Sequence, residues 1–346
     1  MRVAFFVFAA EKNTLGRAYA LWLAAEELGW ETRFVAPSIA APWPPLQNEA
    51  GFLATLTEDA DGAARWADIL VALKPWPGSL DIALELGKRH RREVAVDVDD
   101  PDWEAVYGLS HKRQVLNFAK HLRSGRLPVR DYLLRLRTAR AKHVLVSNPA
   151  LHYWYPGATV VPHARAARSD VLPHSRTDGV QVAFVGTVTT HKGIDVLRDA
   201  VARVGGMKLT VTGVPPDDAL PHEDWVGETS LAEGLALIDE ADIVALPSRS
   251  WAYGIGQLPA KLIDAMMAGR AVVASDVGPI SWALDGSGLL VSPGSVDELA
   301  AALERLRSPE LRTELGRSAH QRALDRFTPA AVAPALAKGL GVSASG

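Results

Sequence analysis

The chain has 346 residues, 48% of them apolar, a formal net charge of −3 and no cysteine. That length predicts two domains of about 150 residues each, and the composition excludes a disordered or fibrous chain. The lack of cysteine excludes a disulfide framework, a thiolate metal site and a cysteine nucleophile, and it fits a reducing cytoplasm.

In chain order, the apolar opening of Met1 to Ala10 is short and runs directly into Glu11 and Lys12. It predicts a buried first strand and not a leader, and no apolar run reaches the roughly 20 residues of a membrane span. Strands are expected at 3–8, 32–35, 69–73, 94–98, 144–147 and 158–161, with an amphipathic helix at 17–28 that closes on Gly29. Trp43 is set in a stiff loop by Pro42, Pro44 and Pro45.

From His111 to His143, ten Lys and Arg residues face the single acid Asp131, a local balance of +9 that leaves the remainder about −12. Such a segment can hold an anionic or lipid-linked acceptor or rest at an acidic membrane surface, or it is a solvated helix face. Leu116, Phe118, Leu122, Leu133, Leu134 and Leu136 are expected to form the buried side of these helices. A linker rich in Pro, Arg, Ser and Ala is expected at 163–179.

The rhythm then restarts. Strands are expected at 180–185, 208–211, 243–246, 271–274 and 289–291, and helices near 194–204, 231–240, 260–268 and 296–306. Alternation of this kind predicts parallel sheets covered by helices, and hence two Rossmann-like α/β domains in tandem, facing a central cleft.

Open parallel sheets bind ligands at the carboxyl ends of their strands. In Ala183-Phe-Val-Gly-Thr-Val-Thr-Thr-His-Lys-Gly193 a strand is followed by a turn and a helix start. Gly186 lets a ligand approach the backbone, and the Lys192 ammonium can face a diphosphate. Ala241-Asp-Ile-Val-Ala-Leu-Pro-Ser248 is a buried strand, followed by a glycine-rich loop, Tyr253-Gly-Ile-Gly-Gln-Leu258, and by a helix opening on Pro259. Lys261 adds charge in its first turn. Asp264, one turn on, can accept ribose hydroxyls or simply pair with Lys261.

Several of these pieces together resemble retaining glycosyltransferase family 4, also called glycosyltransferase group 1. They are Val185-Gly-Thr with Lys192-Gly, Trp225-Val-Gly, the 241–248 strand, the run from Ala265-Met-Met-Ala-Gly to Gly278, and Gly288-Leu-Leu-Val-Ser-Pro-Gly294. Gly16 after the first strand, Ser147-Asn148 and Val160-Val-Pro162 extend the likeness more weakly into the first half. The resemblance implies the GT-B fold, with an acceptor domain at 1–162, a nucleotide-sugar donor domain at 180–328 and a terminal helix within 329–346 returning to the first domain. It implies transfer of a sugar from a nucleotide-diphosphate sugar to an acceptor hydroxyl with retention, without metal or other cofactor.

Carried over by position, the resemblance puts Lys192 on the donor diphosphate, Asp264 on the ribose and the loop with Glu228 and Thr229 on the base. Gly16, Gly186, Thr187, Ser248, Gln257 and Leu258 would complete the donor site, and Lys261 would supply a second cation. Three positions depart from the family. Gly256 stands where the first glutamate of its E-x7-E motif belongs, Thr187 where an arginine does, and Asp99 where a histidine follows a first-domain strand. Asp99, Lys192 and Lys261 are the candidate catalytic residues.

Asp97-Val-Asp99 also imitates the D-x-D metal site of the other major glycosyltransferase fold. Trp43, Trp76, Trp103 and Trp251, near strand ends, are candidates for stacking on sugar rings. Competing functions are a non-catalytic sugar-nucleotide-binding partner and another GT-B enzyme such as an epimerase. A dehydrogenase is excluded because no Gly-x-Gly-x-x-Gly follows the first strand, and no nucleic-acid partner is expected.

Overall fold

Strand periodicity decides both halves of the molecule. The computed structural model describes residues 1–124, 127–169, 171 and 176–342, except the side chains of residues 252 and 253. Arg126 of the basic segment, part of the expected linker (170 and 172–175) and the end of the chain (343–346) lie outside the described residues.

The first compact unit comprises Met1–Ala164 and Pro329–Gly346. Its sheet has strands β1 (Arg2–Val7), β2 (Glu31–Val35), β3 (Leu56–Thr57), β4 (Ile69–Leu73), β5 (Glu93–Val98), β6 (Val144–Val146) and β7 (Thr159–Val160). All pair in parallel, in the order β3-β2-β1-β4-β5-β6-β7. The helix Thr14–Glu27 ends where Gly29 takes φ 64 and the amides of Gly29 and Trp30 donate to the carbonyls of Glu26 and Ala25. The helix Pro329–Gly339 packs on that helix and on β7. The small size of Gly339 permits this close approach, since a Cβ there would lie 2.3 Å from a methyl group of Leu145.

The second unit, Arg165–Thr328, holds β8 (Gln181–Phe184), β9 (Lys208–Val211), β10 (Glu223–Trp225), β11 (Ile243–Leu246), β12 (Ala271–Ser275) and β13 (Leu289–Val291). These strands are again all parallel, in the order β10-β9-β8-β11-β12-β13. Pleating sends alternate residues to opposite faces. Ala183, Val244, Leu246, Val272 and Ala274 enter one core with the helix Ala260–Met267, while Val182, Phe184, Ile243, Ala245 and Val273 enter the other with the helix Ile194–Val204. Coverage on both faces explains why these strands read as continuous apolar runs.

Two expectations are corrected. The stretch 254–256 belongs to a short helix, Ala252–Gly256, and not to a loop. In the basic segment, Leu116, Leu122 and Leu133 are 61%, 56% and 47% exposed, and of the six expected core residues only Leu134 is buried. Polar bonds set the register instead. In the helix His111–Arg123, Gln114 Nε2 donates to Gly108 O at 3.0 Å and Asn117 Nδ2 to Tyr107 O at 3.1 Å, which turns this polar face inward and the leucines outward.

Candidate functional site

Each sheet reverses its strand order once, between β1 and β4 in the first unit and between β8 and β11 in the second. Ligand crevices of open α/β sheets form outside the carboxyl ends of strands at such points.

In the second unit Gly186 follows β8 with φ 146, a conformation suited to glycine, and a Cβ there would meet nothing within 4 Å. Thr212, after β9, fixes this backbone. Its Oγ1 accepts from Gly186 N at 2.7 Å and donates to Gly186 O at 2.9 Å. Gly193 (φ 64) starts the helix Ile194–Val204 and packs on the end of β11, so closely that a Cβ would lie 2.0 Å from Pro247 O. Arg249 N donates to His191 O at 2.8 Å across the same point.

This packing brings Lys192 to the segment after β11, where its Nζ donates to Gln257 Oε1 at 2.8 Å. Ser248 and Gly256, in the same segment, are buried, and the side chain of Leu258, 2% exposed, lies in the apolar core.

Lys261 and Asp264 rise from the first turns of the helix Ala260–Met267. Asp264 is buried, with Arg165 Nε donating to its Oδ1 at 2.7 Å and Lys261 Nζ 3.3 Å from its Oδ2. Burial disfavours the charge, but Arg165 and Lys261 outweigh it and hold the carboxyl below its ordinary range. Lys261 Nζ also lies beside Gly234 and Thr229, since a Cβ on Gly234 would stand 3.4 Å from the ammonium and 3.5 Å from Thr229 Oγ1. A capping box of Ser230 and Glu233 anchors the loop carrying Glu228 and Thr229, while Glu228 and Thr187 are exposed.

In the first unit the charges are more deeply set. Asp97, at the end of β5, receives a bidentate pair from buried Arg17, with Nε to Oδ2 at 3.0 Å and Nη2 to Oδ1 at 2.7 Å. The same guanidinium donates to Val161 O and Pro162 O, tying the first helix to the ends of β5 and β7. Lys74 follows β4 in the left-handed region, φ 70, a conformation costing about 1–2 kcal/mol for a residue with a Cβ.

The Lys74 ammonium lies 2.8 Å from Asp100, 2.9 Å from Asp102 and 3.0 Å from Asp99 Oδ1, the last without hydrogen-bond alignment. Carboxylate oxygens of these three residues lie within 4.8 Å of one another, the spacing of a cation site, and Lys74 stands at the cation position. Asp97 and Asp99 thus serve different cations of the chain, which is not the joint chelation of a D-x-D pair.

Three carboxyls around one ammonium cannot all ionise freely. Burial, reinforced by the charges of Asp100, Asp102 and Asp97 and opposed by Lys74, pushes Asp99 up to about 7. Burial also raises Asp102. For Lys74 burial works the other way but is overwhelmed by Asp100, Asp102 and Asp99, which raise the ammonium well above its ordinary value. Ser147 Oγ donates to Asp99 O at 2.7 Å and fixes the backbone of the turn.

Gly16 contacts the Trp43 ring, 3.0 Å from a notional Cβ, so its small size seats an indole. Trp103 stacks on Tyr107 at 4.1 Å with the Arg135 guanidinium 5.2 Å from its ring centroid, and Trp251 is exposed. Sequence reasoning missed Arg165, placed in the linker, and Lys74. The latter carried a readable signal, a lone cation directly after an apolar strand.

Two parallel sheets with these switch points define the GT-B class. Over nearly its whole length the chain matches Anabaena Alr3699/HepE, solved in complex with UDP and glucose, with a TM-score of 0.68, 15% identity and 99% of both chains covered. It matches sucrose-phosphate synthase of Thermosynechococcus elongatus with a TM-score of 0.70, 16% identity and 98% of both chains covered. At such identities the likeness establishes the fold, and the expected α/β fold of two Rossmann-like domains is borne out.

Residues 179–308 match the family model described as Glycosyl transferases group 1, which bears out for this segment the resemblance read from its motifs. D-inositol 3-phosphate glycosyltransferase of Mycobacterium ulcerans (strain Agy99) is 32% identical over 143 residues, 36% of this chain and 30% of that protein. Its counterpart in Mycolicibacterium smegmatis is 28% identical over 239 residues, 63% and 51% of the two chains. The chain therefore spans a third to a half of the length of these curated relatives.

Proposed function

We propose that the protein is a glycosyltransferase that moves a sugar from a nucleoside-diphosphate donor to an acceptor hydroxyl, with retention and without a metal, in the cytoplasm. The observation that carries this reading is the convergence, in the segment matching the family model, of open Gly186 and the Lys192–Gln257 pair at the β8/β11 switch point.

In this reading the diphosphate lies against the Gly186 backbone, neutralised by Lys192 and Lys261 as the glycosidic C–O bond breaks and its electrons pass to the departing phosphate oxygen. The acceptor oxygen bonds to the anomeric carbon from the same face, and its proton goes to that phosphate oxygen. Asp264, with Arg165, sets Lys261, and Thr229 and Glu228 meet the nucleoside. Asp99, titrating near neutrality, is suited to a hydrogen bond with a sugar or acceptor hydroxyl, as donor when protonated and acceptor when ionised. The neighbour solved with UDP and glucose makes a uridine nucleotide the first donor to try.

A second reading, a non-catalytic sugar-nucleotide binder, is favoured by Gly256 in place of the motif glutamate and by the engagement of both Asp264 oxygens with cations. The test is NMR of product formed from nucleotide sugars and a panel of hydroxyl acceptors, with and without excess EDTA. Product keeping the donor's anomeric configuration at an undiminished rate in EDTA is expected. Tight donor binding with no transfer selects the second reading, and loss of turnover restored by Mn refutes the metal-free site.

A further inference from the structure

Eight of the fifteen exposed large apolar side chains among the described residues fall within 109–133, between β5 and β6. That concentration makes this segment unlike the rest of the surface, where exposed apolar residues are scattered singly. In the helix His111–Arg123 the residues facing the body are Gln114, Asn117, Phe118 and His121, at i, i+3, i+4 and i+7, and none of the helix is fully buried. Val115, Leu116 and Leu122 stand on the outward side.

The helix Pro128–Ala139 repeats the arrangement. Asp131, Leu134 and Thr138 are buried, and Val129, Tyr132 and Leu133 form an outward stripe. Beside the stripes, Lys112, Arg113, Lys120 and Arg123 make no ion pair with the described residues, whereas Arg137 and Arg140 line a hollow shared with Asp81 and Glu85, and Asp131, the segment's one acid, is turned inward to accept from Tyr107 Oη at 2.6 Å.

We propose that this pair of helices is a docking surface for an anionic lipid bilayer. An outward apolar stripe flanked by uncompensated cations is the pattern of a helix lying in a membrane interface, where the leucines enter the acyl boundary and the cations meet lipid phosphates. The charge excludes the simplest rival. A two-fold pairing of copies would place each basic patch against itself. Nucleic acid would satisfy the cations but leave the leucines without a partner. No helix of the described residues is long and apolar enough to cross a membrane.

The test is flotation of the full chain with phosphatidylcholine vesicles that contain or lack phosphatidylglycerol, at low and high salt. The protein is expected to float only with the anionic vesicles and to be released by salt. Leu116→Ser/Leu133→Ser and Lys120→Gln/Arg123→Gln should each weaken partition roughly tenfold or more, with unchanged melting temperature, because all four residues are exposed. Absence of flotation with anionic vesicles, or equal flotation of the variants, overturns the proposal. So does light scattering that shows a dimer dispersed by the serine variant without vesicle binding. Binding of an RNA hairpin that survives the serine substitutions, without flotation, overturns it as well.

Discussion

At the scale of single residues, the buried charges at the strand ends set one another's ionisation. Asp99 is the sharpest case. Its folded pKa stands above the ordinary carboxylate value, so folding favours the protonated form. That contribution to stability is present below about pH 4 and is lost as the pH rises through about 7. Asp99→Asn cannot ionise. Urea unfolding should therefore show the variant gaining on the parent protein between about pH 4 and pH 8. If Asp99 meets substrate, the same variant loses turnover at least tenfold, about 1.4 kcal/mol, with little change in melting temperature at low pH. Near-normal turnover leaves Asp99 only its part in the Lys74 cluster. Lys192→Ala and Lys261→Ala should each weaken nucleoside-diphosphate binding by about 1.5–3 kcal/mol in calorimetry, the contribution of a charge-assisted hydrogen bond. Unchanged affinity in both would remove them from the site.

At the scale of elements, regular periodicity was readable and irregular geometry was not. The helices Ile194–Val204 and Leu231–Glu240 begin and end where their apolar spacing and flanking Gly193 and Ser230 place them. The short strands β3 and β10 leave no signal in the sequence, since two or three residues carry no period, and each pairs with one neighbour, β2 or β9. In the helix His111–Arg123 the hydrogen bonds of Gln114 and Asn117 decide the inward face against the spacing of the leucines, whereas in the helix Pro128–Ala139 Leu134 is buried as expected. Gly193 shows how an element junction builds the site. Its positive φ and its contact with Pro247 O bring Lys192 over the end of β11. Gly193→Ala should cost more than about 1 kcal/mol in stability, and nucleotide affinity should fall with it. Denaturation midpoints equal to those of the parent would contradict the close packing.

For the whole molecule, the GT-B fold gives two units with separate cores and one switch point each. If the second unit binds nucleotide as proposed, a nucleoside diphosphate at 100 times its dissociation constant should stabilise the protein by about 2.7 kcal/mol through mass action. Amide exchange should slow on adding a nucleoside diphosphate at 186–193, 228–230 and 256–264, and protection elsewhere without change there would move the donor site. The alternation of apolar strands and amphipathic helices, the turn glycines and the motifs after β8 and β11 were fixed by the sequence alone, because each depends on residues within a few positions. Only the tertiary structure decided which charges pair. Arg17 and Asp97 are 80 residues apart and Arg165 and Asp264 are 99 apart, while Lys74 meets three acids from the next strand end. A buried charge takes whatever partner the sheet order sets beside it, and sheet order is chosen by the packing of whole faces rather than by local spacing.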